Sequence, residues 1–72
     1  MKKIKKIKIK LNGKPIFLPT GTSVYKVIKK NKLQPNKIAI EINKEIINKK
    51  KINRIFLKND DRIEIVHFIG GG

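Results

Sequence analysis

Arg62-Ile63-Glu64-Ile65-Val66-His67-Phe68-Ile69-Gly70-Gly71-Gly72 is the last stretch of the 72-residue sequence. Ile63, Ile65 and Ile69 share a two-residue period, broken only by His67, and no turn residue intervenes before the glycines, so the stretch predicts a β-strand running straight into a glycine tail. Period two puts Ile63, Ile65, His67 and Ile69 on one face and Arg62, Glu64, Val66 and Phe68 on the other. If a helix covers the first face, Val66 and Phe68 stay on the open one. They are candidate docking residues, with Phe56 as an extension of the same patch; isolated surface apolar residues are the plainer reading. At an average usage of about 7%, three consecutive glycines arise by chance at a given place roughly 3 times in 10,000. A frayed end or linker remnant remains the simple alternative. Lacking Cβ atoms, however, Gly70 and Gly71 can lie extended in a tunnel too narrow for any side chain. A C-terminal carboxylate is also a group that backbone donors of another protein can capture. The expectation is a strand that holds out the Gly72 carboxylate, with Gly70 and Gly71 threaded into a partner.

Working back from that strand, Lys58-Asn59-Asp60-Asp61 reads as a turn and Ile55-Phe56-Leu57 as a short fourth strand. Glu45 to Asn53 has no clean period and reads as a connecting loop with one helical turn. Ile38, Ile40 and Ile42 alternate with Ala39 and Glu41, a third strand closing at the turn-like pair Asn43-Lys44. Leu33-Gln34-Pro35-Asn36 is a loop in which Pro35 stops a preceding helix. That helix has Val24, Val27 and Ile28 on one face and Lys26, Lys29 and Lys30 on the other, with Ser23 as N-cap and an end near Asn31. At about two turns it cannot stand alone, so it must lie across a sheet. Ile7, Ile9 and Leu11 alternate with Lys6, Lys8 and Lys10 in a first strand from Ile4 to Leu11. Asn12-Gly13, the strongest short hairpin signal, returns the chain through Ile16 to Leu18. Pro15 and Pro19 restrict that second strand to an edge. The first and last strands are the most regular and are expected to pair in the middle. The sum is an α+β fold: a mixed sheet of four to five strands with one helix packed across one face.

Composition sets the limits. Seventy-two residues make one small domain, expected over 1–69 with 70–72 as a flexible tail, too small for a second core or a deep enzyme pocket. There is no cysteine, which excludes disulfides, thiolate metal sites and a Cys nucleophile. No apolar run approaches the roughly 18 residues a membrane span needs, and a cytoplasmic protein is expected. The formal charge of +14 raises the possibility of nucleic acid. Against it, 17 Lys accompany only two Arg, the residue favoured for bidentate phosphate and base contacts. Phe17, Tyr25, Phe56 and Phe68 also form no basic-aromatic ladder. His67 has no Ser or carboxylate companion in sequence and reads as structural or as a partner contact. Asp60 and Asp61 read as turn residues rather than metal ligands.

Leu11-Asn12-Gly13, Pro19-Thr20-Gly21-Thr22-Ser23-Val24, Ile38-Ala39-Ile40-Glu41-Ile42-Asn43, Asp60-Asp61-Arg62-Ile63-Glu64-Ile65-Val66 and the glycine tail occur in an order that resembles the ThiS-type sulfur carriers of thiamin biosynthesis. These belong to the wider ubiquitin-like β-grasp superfamily. None of the segments is specific alone; their order and the flush glycine end are. Two departures stand out: Asp60 lies between polar residues where such proteins usually carry a Gly, and lysine is in excess. The resemblance implies a β-grasp fold and chemistry at Gly72. A partner resembling an adenylyltransferase (ThiF-like, E1-like) would use ATP and Mg²⁺ to form a Gly72 acyl-adenylate. Sulfur from a persulfide donor would displace AMP to leave a thiocarboxylate, which passes to a thiazole synthase (ThiG-like). The chain would bind no cofactor and would be a carrier rather than an enzyme. Three other readings stand beside this one: the small subunit of molybdopterin synthase, which shares the chemistry; a ubiquitin-like modifier joined through Gly72 to a lysine; and a basic β-grasp module that binds RNA.

Overall fold

The computed structural model describes residues 5–68; the expectations for Ile4 and for Ile69 to Gly72 fall outside them. The chain opens with a β-hairpin. Strand β1, Lys6–Leu11, buries Ile7 and Ile9 and exposes its lysines, as the alternation requires. Asn12 and Gly13 adopt φ of 50° and 83°, the pair of left-handed residues that matches a two-residue turn to the twist of its strands. Strand β2, Lys14–Pro19, returns antiparallel, with Leu11 opposite Lys14 and Ile9 opposite Ile16. In this register Lys14, Ile16 and Leu18 turn their backbone groups toward β1, and Pro15, Phe17 and Pro19 turn theirs outward. The prolines therefore occupy positions that need no donor, on an outer edge of the sheet.

Helix α1, Val24–Lys30, starts where the Ser23 side chain accepts from the Lys26 N–H at 3.2 Å and buries Val24, Val27 and Ile28. Its end is a Schellman turn: Lys32 takes φ 57°, its N–H donates to Lys29, and the Leu33 N–H donates to Ile28. A lysine thus fills the left-handed position usually given to glycine, and the helix has already ended when Pro35 begins a turn of 3-10 helix, Pro35–Lys37.

Strand β3, Ile38–Ile42, follows with the expected bounds. Asn43 and Lys44, at φ 51° and 72°, make a second tight turn into β4, Glu45–Ile46. Here the structure corrects the sequence reading, which made Glu45 to Asn53 a loop with one helical turn. The helical turn is present at Lys49–Lys51, but its segment begins with a strand too short for alternation to register. Ile55-Phe56-Leu57 is corrected in the opposite sense. Only Phe56 forms a bridge, to Ser23, because the backbone of this segment is engaged with the start of the helix: Val24 donates to Ile55 and Leu57 donates to Thr22.

The last strand, β5, Arg62–His67, lies at the centre of a five-stranded sheet of order β2-β1-β5-β3-β4. It is parallel to β1, with Leu11 opposite Ile63, and antiparallel to β3, with Ile40 opposite Ile65. The core between sheet and helix includes Ile9, Ile28, Ile38, Ile40, Ile63 and Val24, each essentially inaccessible to water. The turn before β5 is tied from several sides. Asp61 accepts from the Lys58 N–H at 2.8 Å and from the Asn43 side chain at 3.0 Å, and Asn43 in turn accepts from the Arg62 N–H. Asp60 takes φ 71°, a left-handed position that glycine would accept without strain.

Candidate docking site at the end of the central strand

The site is built from the far end of β5. Antiparallel pairing puts Phe68 beside Lys37, Val66 beside Ala39, and Glu64 beside Glu41, one row across the face that α1 leaves open. Val66 is 57% and Phe68 53% exposed, whereas Ile63 and Ile65 on the helix-facing side are buried. The alternation therefore assigned the faces correctly. His67 points to the helix side but lies beyond its cover and is exposed.

Phe68 is held at two points. Its N–H donates to the Lys37 carbonyl at 3.0 Å. Over its ring, 5.1 Å from the centroid, sits the Lys49 ammonium, which also donates to the Ile38 carbonyl at 2.9 Å. A half-buried lysine with a fixed acceptor loses little further entropy in meeting the ring, so this cation–π contact keeps the aromatic plane in one place. The apolar patch thus has a cationic border, while the neighbouring Glu41 and Glu64 face each other on the same surface.

Phe56 is not brought alongside. It is 58% exposed but lines a hollow with Ile42, Asn43 and Asp61, beside the start of β5. Val66 and Phe68 are at the other end of the strand, about 3.3 Å further on per residue.

Asn12 has a second role that sequence reasoning missed. Its N–H donates to the Ile63 carbonyl and its Oδ1 accepts from the Ile65 N–H, both at 2.8 Å. The side chain thereby extends the β1–β5 ladder one step beyond the end of β1. An Asn-Gly pair announces a turn, but nothing local announces a partner 53 residues away.

Gly70, Gly71 and Gly72 lie outside the described residues, so the tail enters through its root at Phe68. Among the described residues no three metal-ligating side chains come together, and no helix is long and apolar enough to cross a membrane.

Comparison with known proteins adds to this geometry. The chain is 42% identical over 65 residues to the sulfur carrier protein ThiS of Bacillus subtilis, covering 89% of this chain and 98% of that one. It is 39% identical over 66 residues to a thiazole synthase of Magnetococcus marinus, covering 92% of this chain but only 20% of that protein, so it spans about one fifth of that relative's length. In structure it superposes on the crystal structure of the thiamine biosynthesis protein ThiS of Geobacter metallireducens with a TM-score of 0.78 and 25% identity, covering 92% of this chain and all of that one. The family model for ThiS matches residues 5–72. With the β-grasp sheet, the single covering helix and this match over nearly its whole length, the chain belongs to the ThiS family.

Proposed function

We propose that this chain is a sulfur carrier of thiamin biosynthesis that works through the Gly72 carboxylate in the cytoplasm. The observation that carries the reading is the match to the ThiS family across residues 5–72, which includes the glycine tail. The 42% identity to a sulfur carrier favours the thiamin pathway over molybdopterin synthesis, protein modification or RNA binding. A domain of the same kind forming one fifth of a thiazole synthase fits a carrier that delivers to such an enzyme.

A carboxylate carbon is a poor electrophile, so an adenylyltransferase with ATP and Mg²⁺ joins Gly72 to AMP and releases pyrophosphate. A persulfide donor then attacks the acyl carbon through its outer sulfur and AMP leaves. A thiol reductant cleaves the S–S bond of the resulting acyl disulfide, itself becoming a disulfide, so that the donor departs as its thiol and Gly72 keeps the outer sulfur as a thiocarboxylate. Its sulfur is the nucleophile passed to a thiazole synthase. The acid–base groups and the metal ion that stabilise developing charge belong to the partner. The chain contributes an unhindered acyl group: Gly70 and Gly71 pass through the narrow approach, while Val66 and Phe68 seat the body.

Intact mass after incubation with the adenylyltransferase, ATP and a sulfur source tests this reading. Exchange of one oxygen for sulfur at the C-terminus is expected. A chain lacking Gly71 and Gly72 should keep its fold by circular dichroism and lose all adenylation. Adenylation of the truncated chain, or stable conjugation of the full chain to other proteins, would refute the mechanism.

A further inference from the structure

The edges of the sheet are unequal. On β2 the outward positions are Pro15, Phe17 and Pro19, so of three possible donors only Phe17 has an N–H. At the other side β4 is just Glu45–Ile46. Natural sheets blunt their edges with prolines and very short strands, which leave an incoming strand too few groups to pair with.

A third edge lies inside the sheet. Strand β1 is paired with β5 only as far as Leu11 opposite Ile63, and Asn12 adds the bond to Ile65. Beyond that point no described residue pairs with β5 on this side. Glu64 and Val66 turn their backbone groups toward β3, as do Arg62, which accepts from Asn43, and Phe68, which donates to Lys37. The intervening Ile65 and His67 face the side that β1 has vacated. Among the described residues the Ile65 carbonyl and the N–H and carbonyl of His67 have no hydrogen-bond partner.

We propose that this half-edge receives an extended segment of the tail-activating enzyme as an added strand, held by the Ile65 carbonyl and by both backbone groups of His67. The inference rests on the carrier reading and supplies its register. Main-chain bonds at His67 fix the partner's position at the end of β5, which a patch of two apolar side chains alone cannot do. Charge decides the occupant. A second copy of this chain, at a formal +14, is repelled from the notch, whereas an acidic enzyme surface is drawn to it.

The chain is short enough for total chemical synthesis, which permits a test at a single backbone atom. N-methylation of His67 removes the donor and places a methyl group in the notch while leaving the bonds that hold β5 intact. The methylated chain is expected to fold as the unmodified one and to show KM for ATP-dependent adenylation raised about tenfold or more at unchanged kcat, the size of one hydrogen bond plus a small clash. In the unmodified chain the His67 amide should exchange with solvent faster than those of Ile65 and Val66, and slow about tenfold or more when the adenylyltransferase is bound. Adenylation of the methylated chain at the unmodified KM, or binding without slower exchange at His67, would overturn the added strand and leave the carrier reading standing. Protection that grows with chain concentration in the absence of enzyme would instead make the occupant a second copy. Absence of adenylation in the unmodified chain would bring down the carrier reading and this inference together.

Discussion

Asn12 offers a test in which one side chain can be separated into its two duties. It holds a left-handed backbone, φ 50°, and its Oδ1 accepts from the part-buried Ile65 N–H at 2.8 Å. Asn12→Gly removes the acceptor and relaxes the backbone. Asn12→Ala removes the acceptor and forces a Cβ into the left-handed region. Asn12→Asp keeps the acceptor. Loss of one hydrogen bond to a backbone donor at the margin of the sheet, where water can partly replace it, costs about 1 kcal/mol. The left-handed conformation costs an alanine about 1 kcal/mol more. The expected order of stability is therefore wild type close to Asp, then Gly lower by at most about 1 kcal/mol because its relaxed backbone offsets part of the lost bond, then Ala lower by about 2 kcal/mol. In a domain of this size each kcal/mol lowers Tm by about 4–8 °C. Urea unfolding gives the energies, and amide exchange at Ile65 reports the bond itself, with faster exchange expected in Gly and Ala but not in Asp. If Asn12→Gly matched the wild type both in stability and in Ile65 exchange, the reasoning that this side chain extends the ladder would be refuted.

Two further outcomes follow from the same geometry. Replacing both Val66 and Phe68 by Ser should raise the KM for adenylation at least tenfold, within the roughly 1–3 kcal/mol typical of partner-buried anchors, and change urea stability by less than about 1 kcal/mol because both are already half exposed. An unchanged KM would remove the open face from the docking site. Asp60→Gly and Lys44→Gly, at φ 71° and 72°, should each stabilise the fold by about 0.5–1 kcal/mol in urea, since glycine accepts these conformations without strain. A loss of stability in both would show that their side chains contribute more than their backbone angles cost.

Much of the fold was legible because its signals act over a few residues. Alternation in Lys6–Leu11, Ile38–Ile42 and Arg62–His67 gave strands with their faces assigned. Asn12-Gly13 gave a hairpin, Ser23 a helix start, and Pro15 with Pro19 an edge. The exposure of Val66 and Phe68 followed from the same two-residue period. The reading failed where a segment's partner lay far along the chain. Glu45–Ile46 is too short to have a period of its own and becomes a strand only because β3 is there to pair with. Ile55, Phe56 and Leu57 have the composition of a strand, but the start of α1 takes their hydrogen bonds, and Phe56 is carried away from the patch it was expected to join.

What the sequence determined by itself is the set of elements, the sides they bury, and the resemblance that points to Gly72. Side-chain period and turn chemistry are properties of neighbouring residues. What only tertiary structure decided is how the last strand is gripped: the Asn12 side chain completing its ladder from 53 positions away, Lys49 lying on Phe68, and the backbone of His67, unpaired among the described residues, beyond the end of β1. Those depend on where one strand stops beside another, and that offset is set by packing the whole chain around one core.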